Sequence, residues 1–239
     1  MPAIETIISP ALFHLYEEGL EQKNVVVIDI LRATTTICVA FANGAREILP
    51  VAKPEEAAAM QQMGWIAAAE RMGETVSGFD LGNSPQDYTR ERVAGQKIAL
   101  TTTNGTRALQ MCSAAKHVWV GSFLNLQTLC DRLLTENNDL LLFCAGWKDK
   151  FNLEDTLFAG AVALVLRDRF TITDDATLAA MDLYEKARTA LPEYLQKASH
   201  VIRFNSLHIE TDLEACLKIN TLNVLPEFKN GTIQNGQHA

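Results

Sequence analysis

Short β-branched runs alternating with helical stretches predict an α/β protein, with a mainly parallel sheet, helices on both faces and a helical C-terminal portion. Three observations predict it. The apolar runs are strand-length and rich in Val and Ile. The segments between them are long enough for crossover helices, roughly a dozen residues or more. The runs ending at Ile28, Leu100 and Cys144 each pass into a polar turn and then a helical pattern, the layout of repeated strand–turn–helix units.

In chain order, Val25–Ile28 is the first clear strand. Thr34 to Asn43 follows as a helix closed by Gly44, a usual left-handed stop. Glu47–Val51 reads as a strand, and Pro54 opens a helix through the alanine-rich Glu55–Met60, ended by Gly64. Trp65–Ala69 is a strand leading into a long glycine-containing loop, Glu70 to Asn83, after which Ser84-Pro85 starts a short helix. Next come strand Lys97–Leu100, helix Thr106–Ala114, strand His117–Val120, helix Leu126–Glu136 and strand Asp139–Cys144. A long helix runs from Leu153 to about Phe170. Helical patterns over Ala176–Ala190, Glu193–His200 and Leu213–Ile219 make up the C-terminal portion, which ends in an edge strand near Val224.

A chain of 239 residues, 48% hydrophobic, can bury a substantial core. No linker or composition shift divides it, so residues 1–239 read as one domain. The formal charge of −8, without a basic block, argues against nucleic acid as a partner. It leaves room for a small anionic ligand, which needs only two or three local cations. Arg32, Arg71, Arg107 and Lys148 are candidates. Met1 to Ile8 lacks the signature of a signal peptide, and no apolar run approaches the roughly 18 to 20 residues of a membrane span. Cys38, Cys112, Cys130, Cys144 and Cys216 show no metal-knuckle or redox-pair spacing, as in a reduced cytoplasmic protein. The acidic surface and apolar C-terminal helices are compatible with a homodimer.

Ligands of parallel α/β sheets bind at the carboxyl ends of strands, so the three polar turns are expected on one edge of the sheet. Thr101 to Thr106 offers hydroxyls, backbone N–H groups and a helix start to an anion. The turn after Ile28 adds Asp29, Arg32 and Thr34. Asp29 reads equally as an Asx-turn or cap residue and as a Mg²⁺ ligand, since hard cations take carboxylate oxygens. Its setting is similar to the opening of haloacid-dehalogenase-type phosphatases, but those need a second acid where Leu31 stands, which excludes them. Glu154 and Asp155 suit a helix start, with Asn152 and Asp155 as an approximate capping box, yet their place after the third strand end makes them metal or catalytic candidates. Glu70 is a metal candidate of the same kind. Cys144 reads as a buried structural thiol or as a nucleophile. Among His14, His117, His200, His208 and His238 no metal spacing occurs, and His200 alone merits mutation.

Five motifs occur in order: Val27-Ile28-Asp29-Ile30-Leu31-Arg32-Ala33-Thr34-Thr35-Thr36, Ala42-Asn43-Gly44-Ala45, Gly78-Phe79-Asp80-Leu81-Gly82-Asn83-Ser84-Pro85, Thr102-Thr103-Asn104-Gly105-Thr106 and Phe151-Asn152-Leu153-Glu154-Asp155. Together, over roughly Val25 to Pro226, they closely resemble the 2-phosphosulfolactate phosphatase family. The chain departs from the family pattern at Ala198-Ser199-His200-Val201, which lacks the expected glycine after the histidine.

The resemblance implies an α/β fold distinct from the common phosphatase folds. It also implies a Mg²⁺-dependent phosphomonoester hydrolase that converts 2-phospho-3-sulfolactate to 3-sulfolactate, a step in coenzyme M biosynthesis. In that reading Asp29 with Glu154 or Asp155 holds Mg²⁺ against a small anionic phosphate ester. Arg32 and the turn of Thr102, Thr103, Asn104, Gly105 and Thr106 position the phosphoryl oxygens, while Asn83, Ser84 and Lys148 meet the carboxylate and sulfonate. Water attack and a phosphoenzyme both remain open. Two other readings keep the pocket: a Cys144-based hydrolase of a small carboxylate or amide, and a protein that binds an anionic metabolite without turnover.

Overall fold

Strands form where apolar runs can be buried on both faces, and the computed structural model describes them within residues 1–71, 73–206 and 210–236. They are β1 (Ala3–Ile7), β2 (Asn24–Ile28), β3 (Glu47–Pro50), β4 (Ile66–Arg71), β5 (Glu74–Thr75), β6 (Lys97–Thr101), β7 (His117–Gly121), β8 (Leu140–Cys144), β9 (Thr171–Ile172), β10 (Pro226–Lys229) and β11 (Thr232–Asn235). The helices are α1 (Ala33–Ala42), α2 (Pro54–Gln62), α3 (Arg90–Val93), α4 (Gly105–Met111), α5 (Leu126–Leu133), α6 (Leu153–Leu166), α7 (Asp175–Ala187), α8 (Leu191–Leu195), α9 (Ser199–Ser206) and α10 (Glu210–Cys216).

The described strands make one sheet in the order β5-β4-β6-β3-β11-β10-β7-β2-β8-β1-β9. It is an α/β sheet built from two parallel blocks. β4, β6 and β3 run parallel to one another, as do β7, β2, β8, β1 and β9. The β10–β11 hairpin lies between the blocks and pairs antiparallel with β3 on one side and β7 on the other. Three antiparallel steps therefore separate the blocks, and β6 runs against β2 along the ladder. This corrects the expectation of a single parallel sheet, yet the three polar turns still meet at one cleft, as expected.

Alternation along β2 shows how the core is layered. Val26 and Ile28 pack with Phe158 of α6 and Leu129 of α5, in a cluster that also takes in α7 and the C-terminal helices. Val25 and Val27 face the other way, packing with Ile37 and Phe41 of α1, Leu109 of α4, and Ile48 and Leu100 of the smaller block. Residues of both blocks thus close over α1 and α4. Each fully buried Ile, Val, Leu or Phe contributes about 1.5–3 kcal/mol, so this shared core is what joins the blocks.

Several sequence expectations need correction. β1 lies between β8 and the two-residue edge strand β9, which follows the long helix, and that helix stops at Leu166. The edge strand expected near Val224 is instead the interior hairpin strand β10, partnered on both sides. The helix expected over Glu193–His200 is divided into α8 and α9. The loop from Glu70 continues β4 to Arg71 and contains β5. His208 and His238 lie outside the described residues.

Candidate active site

β2 is buried along its whole length, so its end delivers Asp29 beneath the protein surface. Asp29 closes the turn into α1 three times: its N–H donates to Thr34 Oγ1 (3.0 Å), its carbonyl accepts from Thr34 N–H (3.0 Å), and its carboxylate accepts from Ala33 N–H. The cap reading and the site reading of Asp29 therefore coexist, because the same carboxylate lines a cleft. The neighbouring threonines are internal ties. Thr35 Oγ1 donates to Ile30 O (3.0 Å) and Thr36 Oγ1 to Asn83 O (2.9 Å). Thr34 is fully buried and shapes the turn; it is not among the cleft-lining side chains.

Glu154 and Asp155 begin α6, with Asn152 Oδ1 accepting from Asp155 N–H (3.3 Å). The two acids then part. Asp155 accepts from Ile30 N–H (2.9 Å) and Gly146 N–H (3.1 Å), clamping the turns that follow β2 and β8. Glu154 Oε1 accepts from His200 Nδ1 (2.6 Å), while its Oε2 is buried without a hydrogen-bond partner. An unpartnered buried carboxylate oxygen is costly unless a ligand completes it. Burial, opposed by His200 and the Ala33 N–H but reinforced by Glu70 and Glu154, pushes the Asp29 carboxyl up to about 6. Burial, with Asp29 and Glu154 nearby, holds Asp155 well above the usual carboxylate range. These acids share one low-dielectric region.

The smaller block supplies the facing wall. Glu70, at the end of β4, accepts from Gly73 N–H through Oε1 (2.6 Å). Thr102, Thr103 and Asn104 follow β6 and line the cleft. Thr106 does not reach it: its hydroxyl donates to Thr102 O (3.0 Å), and its N–H donates to Thr102 Oγ1 (3.3 Å). Part of the predicted anion cradle is thus committed to holding its own turn. Gly105 is where the blocks touch. A Cβ there would lie 2.5 Å from Ala33 Cβ and 2.8 Å from Asp29 Oδ2, so only glycine fits without displacement.

The cleft is completed by Arg32, Asn83, Trp147, Lys148, His200 and Arg203. Arg32 is ion-paired to Asp212 of α10 and donates to Gly73 O (2.8 Å), so it bridges the blocks. Asn83 Oδ1 is buried without a partner at the cleft wall. Ser84 instead donates to Asp212 Oδ1 (2.7 Å) and serves the Arg32 anchor. Arg71 is turned to Glu70 O and Thr101 Oγ1, and Arg107 pairs with Asp149 on the surface; neither lines the cleft.

Cys144 is fully buried and absent from the lining, and burial together with Asp155 and Glu154 holds its thiol well above its ordinary value. A thiolate nucleophile is disfavoured there, which corrects its placement among catalytic residues. All five cysteines are free and buried. Nothing in the sequence marks Trp147, Arg203 or Asp212 as site residues, since helix-borne Arg and Asp look like ordinary surface charges. His200 was singled out, but nothing in the sequence tied it to Glu154.

Among the described residues, no group of three or more His, Cys, Asp and Glu forms a ready metal shell, and no helix is long and apolar enough to cross a membrane. Of the carboxylates, Asp29 and Glu70 line the cleft, while Glu154 is fully buried and reaches that lining through His200. An acid floor, a hydroxyl and amide wall and a cationic rim define an α/β protein with a cleft for a small anionic ligand. The profile of the family described as 2-phosphosulpholactate phosphatase matches residues 12–231. The chain is 36% identical over 226 residues to a protein of Caldanaerobacter subterraneus, covering 92% of this chain and 94% of that one. It is 38% identical over 222 residues to one of Symbiobacterium thermophilum (90% and 95% covered) and 39% identical over 212 residues to one of Thermotoga petrophila (89% and 92%). All three are named probable 2-phosphosulfolactate phosphatase. The chain belongs to the 2-phosphosulfolactate phosphatase family.

Proposed function

We propose that this protein is a Mg²⁺-dependent phosphomonoester hydrolase acting on 2-phospho-3-sulfolactate, with 3-sulfolactate and phosphate as products. The observation that carries the reading is Glu154 Oε2, a buried carboxylate oxygen without a partner, in the same acid cluster as Asp29. The donor set fits Mg²⁺, which takes one or two carboxylates and keeps several waters, so the lack of a three-residue shell is no obstacle. Asp29 and Glu154, with Glu70 nearby, are the residues that would hold the ion. When bound, it would neutralise charge on the phosphoryl oxygens and lower the pKa of a water.

The chain's own groups account for the rest. Arg32 is fixed by Asp212 and Gly73 and presents a positive charge that needs no rearrangement to meet the phosphoryl group. Thr102, Thr103 and Asn104 orient the ester from the opposite wall, and Asn83 Oδ1 can accept from a donor on it. Asp155, tied to two backbone N–H groups, keeps the β2 and β8 turns in register. His200 commits Oε1 of Glu154 and so leaves Oε2 for the site. The place of the reaction in coenzyme M biosynthesis is what the family resemblance implies. The test is phosphate release from 2-phosphosulfolactate with Mg²⁺ and with excess chelator. Release that chelator abolishes is expected. Silence on this ester and on phospholactate and phosphoglycolate would overturn the reading in favour of a binding protein.

A further inference from the structure

The proposed reaction needs a place for the phosphoryl group, but the substrate carries other charges. Another part of the cleft wall answers to them. Trp147 N–H donates to Lys150 O (3.0 Å), and Lys150 N–H donates to Trp147 O (3.1 Å), closing a two-residue hairpin. Its central residues, Lys148 (φ 52°) and Asp149 (φ 57°), are both left-handed, a conformation usually given to Asn-Gly. Such backbone persists in non-glycine residues only when its surroundings hold it. Here Arg107 pairs with the Asp149 carboxylate (2.7 Å) and Ser9 Oγ donates to Asp149 O (2.6 Å). The hairpin carries Trp147 and Lys148 into the cleft.

Two cations sit on that one indole. Lys148 Nζ lies 4.7 Å from the Trp147 ring centroid and the Arg203 guanidinium 4.9 Å from it, and the His200 ring is 5.9 Å away. Arg203 comes from α9, one turn beyond His200, so one helix serves both the acid floor and this wall. Each contact with the ring face is favourable, and together they place two positive charges on one wall of the cleft. This cationic wall stands out in a chain whose formal net charge is −8.

We infer that Trp147, Lys148 and Arg203 form a subsite for the second anionic head group of the substrate, a sulfonate or carboxylate attached to the phosphorylated carbon skeleton. The inference rests on the phosphatase reading for its substrate but not for its geometry. The indole supplies a flat apolar floor for the carbon skeleton, and the two cations grip the head group from its sides. The acid floor takes no part, so the two ends of the ligand are sorted by charge: the phosphoryl group toward Arg32 and the Thr102–Asn104 turn, the second anion toward the hairpin.

The test measures kcat/KM for four esters: 2-phosphosulfolactate, 2-phospholactate (carboxylate only), 2-phosphooxyethanesulfonate (sulfonate only) and ethyl phosphate. Each is expressed as a ratio to ethyl phosphate. In Arg203→Gln the ratio should fall by roughly ten- to a hundred-fold for esters whose head group uses the subsite, the range a charged hydrogen bond commands. Arg203→Lys should recover part of it, and the loss should lie in KM. Comparison of the carboxylate-only and sulfonate-only esters assigns the head group. An unchanged ratio would overturn the subsite, whether all four rates fall together or none does. If the wild type cleaves none of them, thermal stabilisation by 3-sulfolactate decides instead. Stabilisation reduced in Arg203→Gln upholds the subsite while the phosphatase reading fails, and absence of stabilisation in the wild type overturns both.

Discussion

The two parallel blocks meet at the cleft with unlike chemistry. The five-strand block β7-β2-β8-β1-β9 contributes Asp29 and Arg32 after β2 and Trp147 and Lys148 after β8, backed by the fully buried Glu154 and Asp155 at the start of α6. The three-strand block β4-β6-β3 contributes Glu70 at the end of β4, Gly73 after it and the neutral Thr102, Thr103 and Asn104 after β6. The difference follows from burial. β2 and β8 are buried along their full length, so charges at their ends need backbone N–H groups and counter-ions, which Ala33, Ile30, Gly146 and His200 provide. The turn after β6 reaches a more open wall, where hydroxyls and amides suffice. One block fixes charge and the other orients the ligand, and Gly105 against Asp29 is where the two functions are held in register.

Breaking the charged side should produce the largest effect. Asp29→Asn keeps an oxygen for the Ala33 N–H and should lower phosphate release by about a thousand-fold or more, the scale of losing a preorganised electrostatic group. Near-normal turnover would detach the charge from the chemistry. The same substitution should stabilise the metal-free protein. The Asp29 carboxyl is raised from 3.8 to about 6, so the folded state binds more protons than the unfolded state between those values. Stability therefore falls as pH rises through that window, by up to about 3 kcal/mol from this group. Chemical denaturation of chelated protein at pH 4, 5, 6 and 7 should show that decline in the wild type and a shallower one in Asp29→Asn. Equal slopes would refute the assignment.

The contact between blocks is tested by Gly105→Ala. The added methyl must displace Ala33, Asp29 or the turn, and a shift near 1 Å at a reacting group can cost about a hundred-fold. The expected outcome is a loss of turnover of up to that size, with far-ultraviolet circular dichroism unchanged. Wild-type activity would show that the blocks move apart freely.

Much of the larger block was legible in the sequence, because β2 and β8 are short apolar runs followed by polar turns, and periodicity reports such strands directly. The opposed direction of β6 was not, since strand polarity depends on what is inserted between neighbours. Here that is the β10–β11 hairpin, more than a hundred residues later in sequence. Its signal was present in Asn230-Gly231, both left-handed (φ 53° and 82°) between two four-residue strands, the usual Asn-Gly turn. Asp29, Glu154 and Asp155 could be picked out as acids at strand ends and helix starts. Their separate tasks could not, because Asp155 is set by Ile30 and Gly146 and Glu154 by His200, all tertiary neighbours. Asp212, which anchors Arg32, carries no local pattern that distinguishes it from a solvated helix acid.

The hairpin itself invites the finest test, since it joins the blocks through one registered backbone pair on each side, Ile233 with Ile48 and Glu227 with Trp119. Side chains reinforce both seams. Toward the larger block, Glu227 Oε1 accepts from His117 Nδ1 (2.7 Å), and His117 stacks on Trp119. Toward the smaller block, Glu47 of β3 takes a hydrogen bond from Thr232 of β11, and within that block it accepts from Lys97 Nζ of β6 (2.8 Å), the contact that chiefly lowers its pKa. A depressed carboxylate adds stability above its unfolded pKa of 4.5 and loses it as pH falls through the folded value. Lys97 is substantially exposed, so the pair is screened, and Glu47→Gln should cost about 0.5 kcal/mol at pH 7 and less at pH 3. Denaturant midpoints at low and high salt would check it. A deficit that persists at high salt would place the seam's strength in packing around Ile48 and Ile233, with the ion pair following the hairpin rather than fixing it.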